Sequence, residues 1–167
     1  MGVSNHSKFT FLLIFTWFFS LGKPDLASDK AALVLLRSAI GGKTYKWNVS
    51  DLSPCNWLGV VCDKNRVTVL RLPADEVKSV LPMEVFGNLT QLRTLSLRLN
   101  ALTGKLPADL EKCSEPRNLY LQDNKFSGDI PEFLFKLHNL VRLNLARNSF
   151  SGRLSPEVNK LKQQVSK

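Results

Sequence analysis

The side chains best suited to chemistry in this sequence are six arginines between residues 71 and 147. A guanidinium group forms two parallel hydrogen bonds with a carboxylate, so clustered arginines favour partners that carry such groups. We therefore predict one surface that binds a partner with acidic or carboxylate groups, with Tyr120 as its aromatic anchor. Its predicted contact residues are Arg71, Arg93, Ser96, Arg98, Arg117, Tyr120, Gln122, Arg142, Asn144 and Arg147.

Catalytic and metal-binding chemistry is not indicated by the sequence. Beyond residue 22 the only histidine is His138, and the three cysteines form no Cys-x-x-Cys pair. Zinc is held by sets of Cys and His ligands, and nucleophilic catalysis requires a base beside the nucleophile. We therefore predict a protein that is not an enzyme and that has no cofactor or metal site.

An internal repeat positions the predicted contact residues. The phrase Leu-x-x-Leu-x-Leu-x-x-Asn-x-Leu/Phe-x-Gly occurs three times at intervals of about 24 residues, with Pro116 in place of the first Leu in the second copy. This period and phrase predict an α/β leucine-rich-repeat solenoid. The Leu-x-Leu core predicts a short strand whose leucines point inward and whose other residues face outward on the concave side.

The phase of the repeat aligns outward residues from successive strands. It predicts one column that contains Arg71, Ser96, Tyr120 and Asn144, and a second that contains Arg98 and Gln122. Asn100, Asn124 and Asn148 end the strands, where a side-chain amide can bond backbone groups that lose their ladder partners. We predict that these three residues form a structural asparagine ladder.

The N-terminus predicts secretion. Residues 9–21 form an almost wholly apolar run of about 13 residues, too short to span a bilayer comfortably and typical of a signal peptide. We predict cleavage after Gly22, with an uncleaved anchor as the alternative. The formal charge of +9 suits an anionic partner, but secretion makes nucleic acid an improbable one. Asn48 and Asn88 lie in Asn-x-Ser/Thr sequons and are predicted glycosylation sites.

The segment after the signal peptide predicts a cap for the solenoid. Ser28 and Asp29 are candidate N-caps of a helix that ends at Gly41-Gly42. Its buried face is predicted to contain Ala32, Leu33, Leu36 and Ile40. A disulfide between Cys55 and Cys62 would close a small loop, which the oxidising secretory route permits. Cys113, inside a repeat, is predicted to be a buried packing thiol.

These features divide the chain into five segments. The predicted boundaries are a signal peptide at 1–22, a cap at 23–66, a degenerate first repeat at 67–91, three repeats at 92–161 and a basic tail at 162–167. Pro116 removes a backbone donor and a core leucine, so we expect the second of the three repeats to be loosened there.

Several motifs together carry a family resemblance. They are the helical segment 29–40, Trp47, the run Cys55-Asn56-Trp57-Leu58-Gly59-Val60-Val61-Cys62, and the repeat endings LTGKLP (102–107) and FSGDIP (126–131). With these motifs the chain resembles the extracellular N-terminal part of plant leucine-rich-repeat receptor-like kinases, in particular the clade with short ectodomains and atypical kinases. The resemblance implies a right-handed solenoid of plant-type repeats and a non-catalytic role in cell-surface signalling, through binding of a peptide or another receptor ectodomain.

The resemblance also implies a secreted or extracellular location, in the cell wall or at the outer face of the plasma membrane. No apolar run after residue 22 is long enough to span a membrane, and no kinase motif occurs. We therefore expect a chain truncated before the membrane span and kinase domain of such receptors. The alternatives are a secreted cell-wall defence protein of the pectinase-inhibitor kind, which would contact an anionic polysaccharide, and a non-functional fragment.

Overall fold

A computed structural model shows a helical cap followed by stacked turns of β-strand, and it describes residues 24–73, 78–113, 115–151 and 156. The predicted signal peptide, Gly152 and the predicted basic tail lie outside the described residues. In chain order the helices and strands are α1 (Leu26–Ile40), β1 (Val60–Asp63), β2 (Arg66–Arg71), β3 (Thr94–Ser96), β4 (Thr103–Gly104), β5 (Asn118–Tyr120), β6 (Lys125–Asp129), α2 (Phe133–Lys136), β7 (Arg142–Asn144) and β8 (Ser149–Ser151).

Helix α1 begins earlier than the sequence analysis predicted. Its N-cap is Asp25, whose carboxylate accepts a hydrogen bond from the Ser28 N–H at 2.9 Å, while the Ser28 hydroxyl accepts one from the Asp25 N–H at 2.8 Å. The prediction of Ser28 or Asp29 as the N-cap is therefore wrong, because this reciprocal capping box fixes the start one turn before. The predicted buried face is confirmed: Ala32, Leu33, Leu36 and Ile40 are buried.

The Leu-x-Leu segments form one side of the solenoid. Strands β1, β2, β3, β5 and β7 make a five-stranded sheet in that order, antiparallel between β1 and β2 and parallel thereafter. Leu70, Leu95, Leu119 and Leu143 are neighbours in the register of the parallel strands. Their side chains pack inward and build a continuous core across repeats, which confirms the predicted leucine-rich-repeat solenoid.

A second sheet, which the sequence analysis did not predict, lies on another side of the solenoid. Strands β4, β6 and β8 pair in parallel, and an isolated bridge joins Val80 to Thr103. Gly104 and Gly128 have φ values of +79° and +81° within this sheet, a conformation that disfavours any residue with a Cβ. The glycine of the repeat therefore serves a turn of backbone that belongs to the second sheet.

The asparagines connect consecutive turns of backbone. The Asn124 amide nitrogen donates to the carbonyls of Leu97 at 2.8 Å and Leu121 at 3.1 Å, and its Oδ1 accepts from the Leu102 N–H at 3.1 Å. Asn148 makes the equivalent bonds to Leu121, Leu145 and the Phe126 N–H. Asn100 donates to Leu72 and Leu97. Each amide therefore satisfies backbone groups of two neighbouring repeats.

The cap is held by contacts that occur once. Cys55 and Cys62 form a disulfide, as predicted, and the rings of Trp47 and Trp57 stack with centroids 5.1 Å apart. The buried Asp29 carboxylate receives Arg66 Nε at 2.9 Å, Arg66 Nη2 at 2.8 Å and the Val67 N–H at 2.8 Å. The bonds of Asp29 to Arg66 and Val67 connect α1 to the start of β2 and thus join the cap to the sheet.

Gly59 and Pro116 mark two further constraints on the backbone. A Cβ on Gly59 would lie 2.1 Å from the Arg71 carbonyl oxygen, so no other residue fits where the cap loop meets β2. Leu92 and Leu140 donate their N–H groups to the carbonyls three residues before them. Pro116 takes the equivalent place, is buried, and has no N–H to donate to Cys113. The loosening expected there remains a prediction.

Candidate functional site

The outward residues of the five-stranded sheet form the candidate site, which we call the sheet face. Arg71 pairs in register with Ser96, Ser96 with Tyr120, and Tyr120 with Asn144. The structure thus brings this predicted column together across four strands. A further column, different from the predicted one of Arg98 and Gln122, lies beside it and contains Val69, Thr94, Asn118 and Arg142.

Two adjoining depressions lie at the cap end of the sheet face. The first, of about 290 Å³, is lined by Arg71, Pro73, Ser96, Arg98 and Tyr120. The second, of about 260 Å³, is lined by Lys43, Leu58, Gly59, Arg71, Leu72 and Pro73. Arg71 and Pro73 line both depressions, which therefore adjoin; we call the two together the hollow, with a cationic, aromatic part and an apolar part. Sequence reasoning missed Leu58 and Pro73, since neither belongs to the repeat phrase.

The six predicted arginines differ in their contacts. Arg93 forms an ion pair with Asp63 at 3.1 Å, and Arg147 forms a bidentate ion pair with Asp123. Arg142 donates to the Asn118 side chain at 3.3 Å. Within the described part of the chain, Arg71, Arg98, Arg117 and Arg142 make no ion pair, because the Asn118 amide that Arg142 contacts carries no charge. Of these four arginines, Arg71 and Arg98 line the hollow.

The Asp123–Arg147 pair joins the second and third of the three repeats. The hydrogen bonds from Arg147 lower the pKa of the Asp123 carboxyl, and those same bonds raise the pKa of the Arg147 guanidinium. Both residues have positive φ values, of +60° and +53°, as does Leu99 one repeat earlier. This position precedes the ladder asparagine in each repeat, so the left-handed backbone is a property of the turn.

Ser96 faces outward by register and Gln122 was predicted to do so from the repeat phase, but both side chains are nearly covered. Ser96 is 5% exposed and Gln122 is 9% exposed. Ser96 therefore contributes to the floor of the hollow, not to its rim. The buried Gln122 Oε1 has no hydrogen-bond partner among the described residues, which costs about 1–3 kcal/mol for a polar atom out of water.

The other predicted residues lie away from the sheet face. Asn48 is exposed in the cap loop and Asn88 is exposed before the first full repeat. Cys113 is buried, and its thiol donates to the Phe86 carbonyl at 3.2 Å. Burial, aided by the nearby Asp109 carboxylate, raises the pKa of this thiol to about 12. A thiol with such a pKa is not a nucleophile at neutral pH.

The described residues contain no group of three or more His, Cys, Asp or Glu side chains that could hold a metal ion. None of the helices in the described ranges is both long and apolar enough to cross a membrane.

Comparison with known families agrees with the fold. Residues 26–63 match the family described as leucine rich repeat N-terminal domain. Residues 91–113, 116–137 and 139–161 match the family described as leucine rich repeat. These matches together cover more than half of the 167 residues.

A curated relative extends this likeness to a class of plant protein. Over 90 residues, 54% of this chain, the sequence is 62% identical to the probable inactive receptor kinase RLK902 of Arabidopsis thaliana. The match covers 14% of that protein's length, in its N-terminal part.

Solved structures give the same result. The crystal structure of PEPR1–AtPEP1 aligns with a TM-score of 0.74 at 31% identity, covering 81% of this chain and 20% of that one. The Arabidopsis receptor kinase HAESA, solved with the peptide hormone IDA and the co-receptor SERK1, aligns with a TM-score of 0.71 at 28% identity, covering 81% of this chain and 24% of that one.

Proposed function

We propose that this chain, which belongs to the leucine-rich-repeat family, binds a peptide or another receptor ectodomain through the sheet face. The chain is a non-catalytic extracellular module that corresponds to the N-terminal ectodomain of plant receptor kinases. The partner class is supported by HAESA, which was solved with a peptide hormone and a co-receptor. We place this recognition at the plant cell surface, in the cell wall or at the outer face of the plasma membrane.

The observation that carries the proposal is the hollow around Arg71 and Arg98. Both guanidinium groups lack an ion-pair partner among the described residues, whereas Arg93 and Arg147 are already paired. The guanidinium group of a surface arginine without an ion-pair partner is hydrated. It can therefore exchange water for a carboxylate or carbonyl oxygen of a ligand. Two such groups beside the aromatic ring of Tyr120 favour a ligand with an acceptor group and an apolar side chain.

The apolar part of the hollow adds a second requirement on the ligand. Leu58 is 53% exposed and borders Gly59, Leu72 and Pro73. A ligand side chain that covers Leu58 would remove apolar surface from water, at about 25 cal/mol per Å². We therefore expect a peptide that lies across the sheet from the cap towards Tyr120, with its apolar side chain over Leu58 and its acceptor group between Arg71 and Arg98.

Binding to a panel of purified plant receptor ectodomains and synthetic secreted peptides tests the proposal. Each peptide is offered with a free carboxyl terminus and as the amide. For any binder found, the double variant R71E/R98E is expected to lower the affinity by tenfold or more, since each charge-assisted hydrogen bond is worth roughly 1.5–3 kcal/mol. The double variant K125E/K136E changes the charge equally on β6 and α2, and is expected to leave the affinity unchanged.

Two outcomes would overturn this proposal. One is a binder whose affinity falls equally in R71E/R98E and K125E/K136E, because net charge alone would then explain the loss. The other is salt-sensitive binding to polygalacturonate with no binding to peptides or ectodomains, which would favour the cell-wall alternative.

A further inference from the structure

Helix α1 presents an apolar stripe to solvent beside its buried face. The buried face packs on the solenoid, and the adjoining stripe contains Ala27, Ala31 and Leu35, which are exposed, and Val34, which is half-buried against the core. Together with Lys30 and Val49 these residues line a groove of about 540 Å³. Leu35 is 54% exposed and Val49 is 40% exposed. A stripe of this kind is a liability unless something covers it.

The loop beside this groove carries a glycosylation sequon. Asn48 precedes Val49, which lines the groove, and Ser50 completes the Asn-x-Ser triplet. Asn48 and Ser50 are both exposed, as an acceptor site requires. Leu52, in the same loop, is 97% exposed. Two exposed apolar side chains of the cap, Val49 and Leu52, therefore lie within four residues of one predicted acceptor.

The side chain of Asn48 is held in one orientation. Its Nδ2 donates to Asp51 Oδ1 at 2.7 Å, and its Oδ1 accepts from the Ser50 N–H at 3.1 Å. The other oxygen of Asp51 accepts from the Trp57 ring N–H at 3.0 Å, and Trp57 is buried in the cap core. An amide nitrogen carries two hydrogens, so attachment of a sugar leaves one to bond Asp51. The bonds to Asp51 and Ser50 thus restrict the directions that an attached sugar can take.

We propose that the first N-acetylglucosamine of a glycan on Asn48 lies in the groove of α1 and covers its apolar stripe. The sugar has an apolar C–H face and an acetyl methyl group that suit a groove whose lining, among the described residues, is apolar except for Lys30. Tethering raises its effective concentration at the groove to the millimolar range or above, so weak apolar contacts suffice. This proposal requires that the chain pass through the secretory route. It does not depend on the ligand that we propose for the sheet face.

Asn88 provides the matched control for this proposal. It is also an exposed residue of a sequon, and its Nδ2 donates to the Glu84 carbonyl at 3.2 Å. Asn88 is not among the residues that line the groove of α1, although its carbonyl accepts a hydrogen bond from Arg66, the partner of Asp29 in α1. A glycan on Asn88 is therefore not expected to cover Leu35 and Val49.

The test uses the full chain secreted from a eukaryotic host, as wild type, S50A and N88Q. S50A removes the sequon without removing the Asn48–Asp51 bond. Occupancy is read from the mass before and after glycosidase treatment. Fluorescence of a dye that binds apolar surface is expected to rise about twofold in S50A and to stay unchanged in N88Q. Hydrogen exchange of peptides from residues 26–40 should increase in S50A alone.

Two further samples show whether the first sugar is responsible. Trimming the wild-type glycan to its first N-acetylglucosamine should leave the dye signal low. Adding Leu35→Ser to S50A should remove most of the extra signal, because the exposed stripe is then less apolar. An unoccupied Asn48 in the secreted chain would overturn the proposal. So would an occupied Asn48 whose loss in S50A changes neither the dye signal nor the exchange.

Discussion

The cap and the repeats are stabilised in different ways. The cap depends on contacts that occur once: the Cys55–Cys62 disulfide, the Trp47–Trp57 stack and the buried Asp29–Arg66 pair. The repeats depend on the same small contacts made several times, such as the leucine core and the asparagine ladder. Loss of one cap contact removes the whole of that interaction, whereas loss of one repeat contact leaves its copies in place.

The largest expected effect is that of Asp29→Ala. It leaves Arg66, whose side chain is only 17% exposed, without its partner, and removes the acceptor of the Val67 N–H. Breaking such a pair costs roughly 3–5 kcal/mol of the free energy of unfolding. Chemical denaturation checks this, with fluorescence of Trp47 and Trp57 as the probe of the cap. The same charge change in Asp63→Ala, at the exposed Arg93 pair, should cost less than about 1 kcal/mol.

If Asp29→Ala and Asp63→Ala lowered the stability equally, the pair between α1 and β2 would have no special role. Circular dichroism of the same samples reports on the repeats as well. We expect the two probes to shift together in Asp29→Ala, because an uncovered first repeat loses its apolar neighbour.

Reduction of the disulfide is expected to have the second largest effect. The bridge closes a loop over a sequence separation of 7 and should stabilise the cap by roughly 2–3 kcal/mol. A thermal melt with and without reductant measures this difference. The double variant C55S/C62S serves as the control, since reductant should not change its melting temperature. An unchanged wild-type melt would show that the surrounding contacts alone hold the cap loop.

Removal of one ladder residue should have a smaller effect than either cap change. Asn124→Ala strands the buried carbonyls of Leu97 and Leu121 and the Leu102 N–H, at a cost of about 1–3 kcal/mol. Asn118→Ala, which loses side-chain bonds to Thr94 and Arg142 on the sheet face but no bond to the backbone, should cost less. The denaturation midpoints of the two variants rank them, and an equal or reversed order would contradict the structural role of the ladder.

The smallest effect concerns the exposed Asp123–Arg147 pair and depends on pH. Because Arg147 lowers the folded-state pKa of Asp123, the pair's contribution is present above the unfolded value of about 3.8. It is lost as the pH falls through the lower folded-state pKa. The stability difference between wild type and Asp123→Asn should therefore shrink at acid pH. A difference that grew as the pH fell would show that the pair is not formed in solution.

Features that depend on local pattern were predicted well. The inward leucines follow from the repeat phrase, and so does the alignment of Arg71, Ser96, Tyr120 and Asn144, because strand periodicity places alternate residues on opposite faces. The Cys55–Cys62 bridge joins residues that are close in the chain. The start of α1 was missed because Asp25 and Ser28 cap the helix one turn before the site that composition favoured.

Features that depend on distant residues were not predictable in the same way. The phase of the repeat assigns six arginines to one face, but it does not state which of them meet a carboxylate. Asp63 and Asp123 reach Arg93 and Arg147 across separations of 30 and 24 residues, so only the folded chain shows that Arg71 and Arg98 make no ion pair among the described residues. The same holds for the covering of Ser96 and Gln122 by neighbouring strands.

The sequence by itself determined the solenoid, its core and the residues that share the sheet face, because a periodic chain repeats each local environment at each turn. Only the tertiary structure decided which charges are paired, how the hollow joins Leu58 of the cap to Arg98 and Tyr120 of the repeats, and how Asp29 binds Arg66. These contacts join segments outside the repeat phrase or between turns. Their geometry depends on how the cap packs against the first strand, which no local pattern encodes.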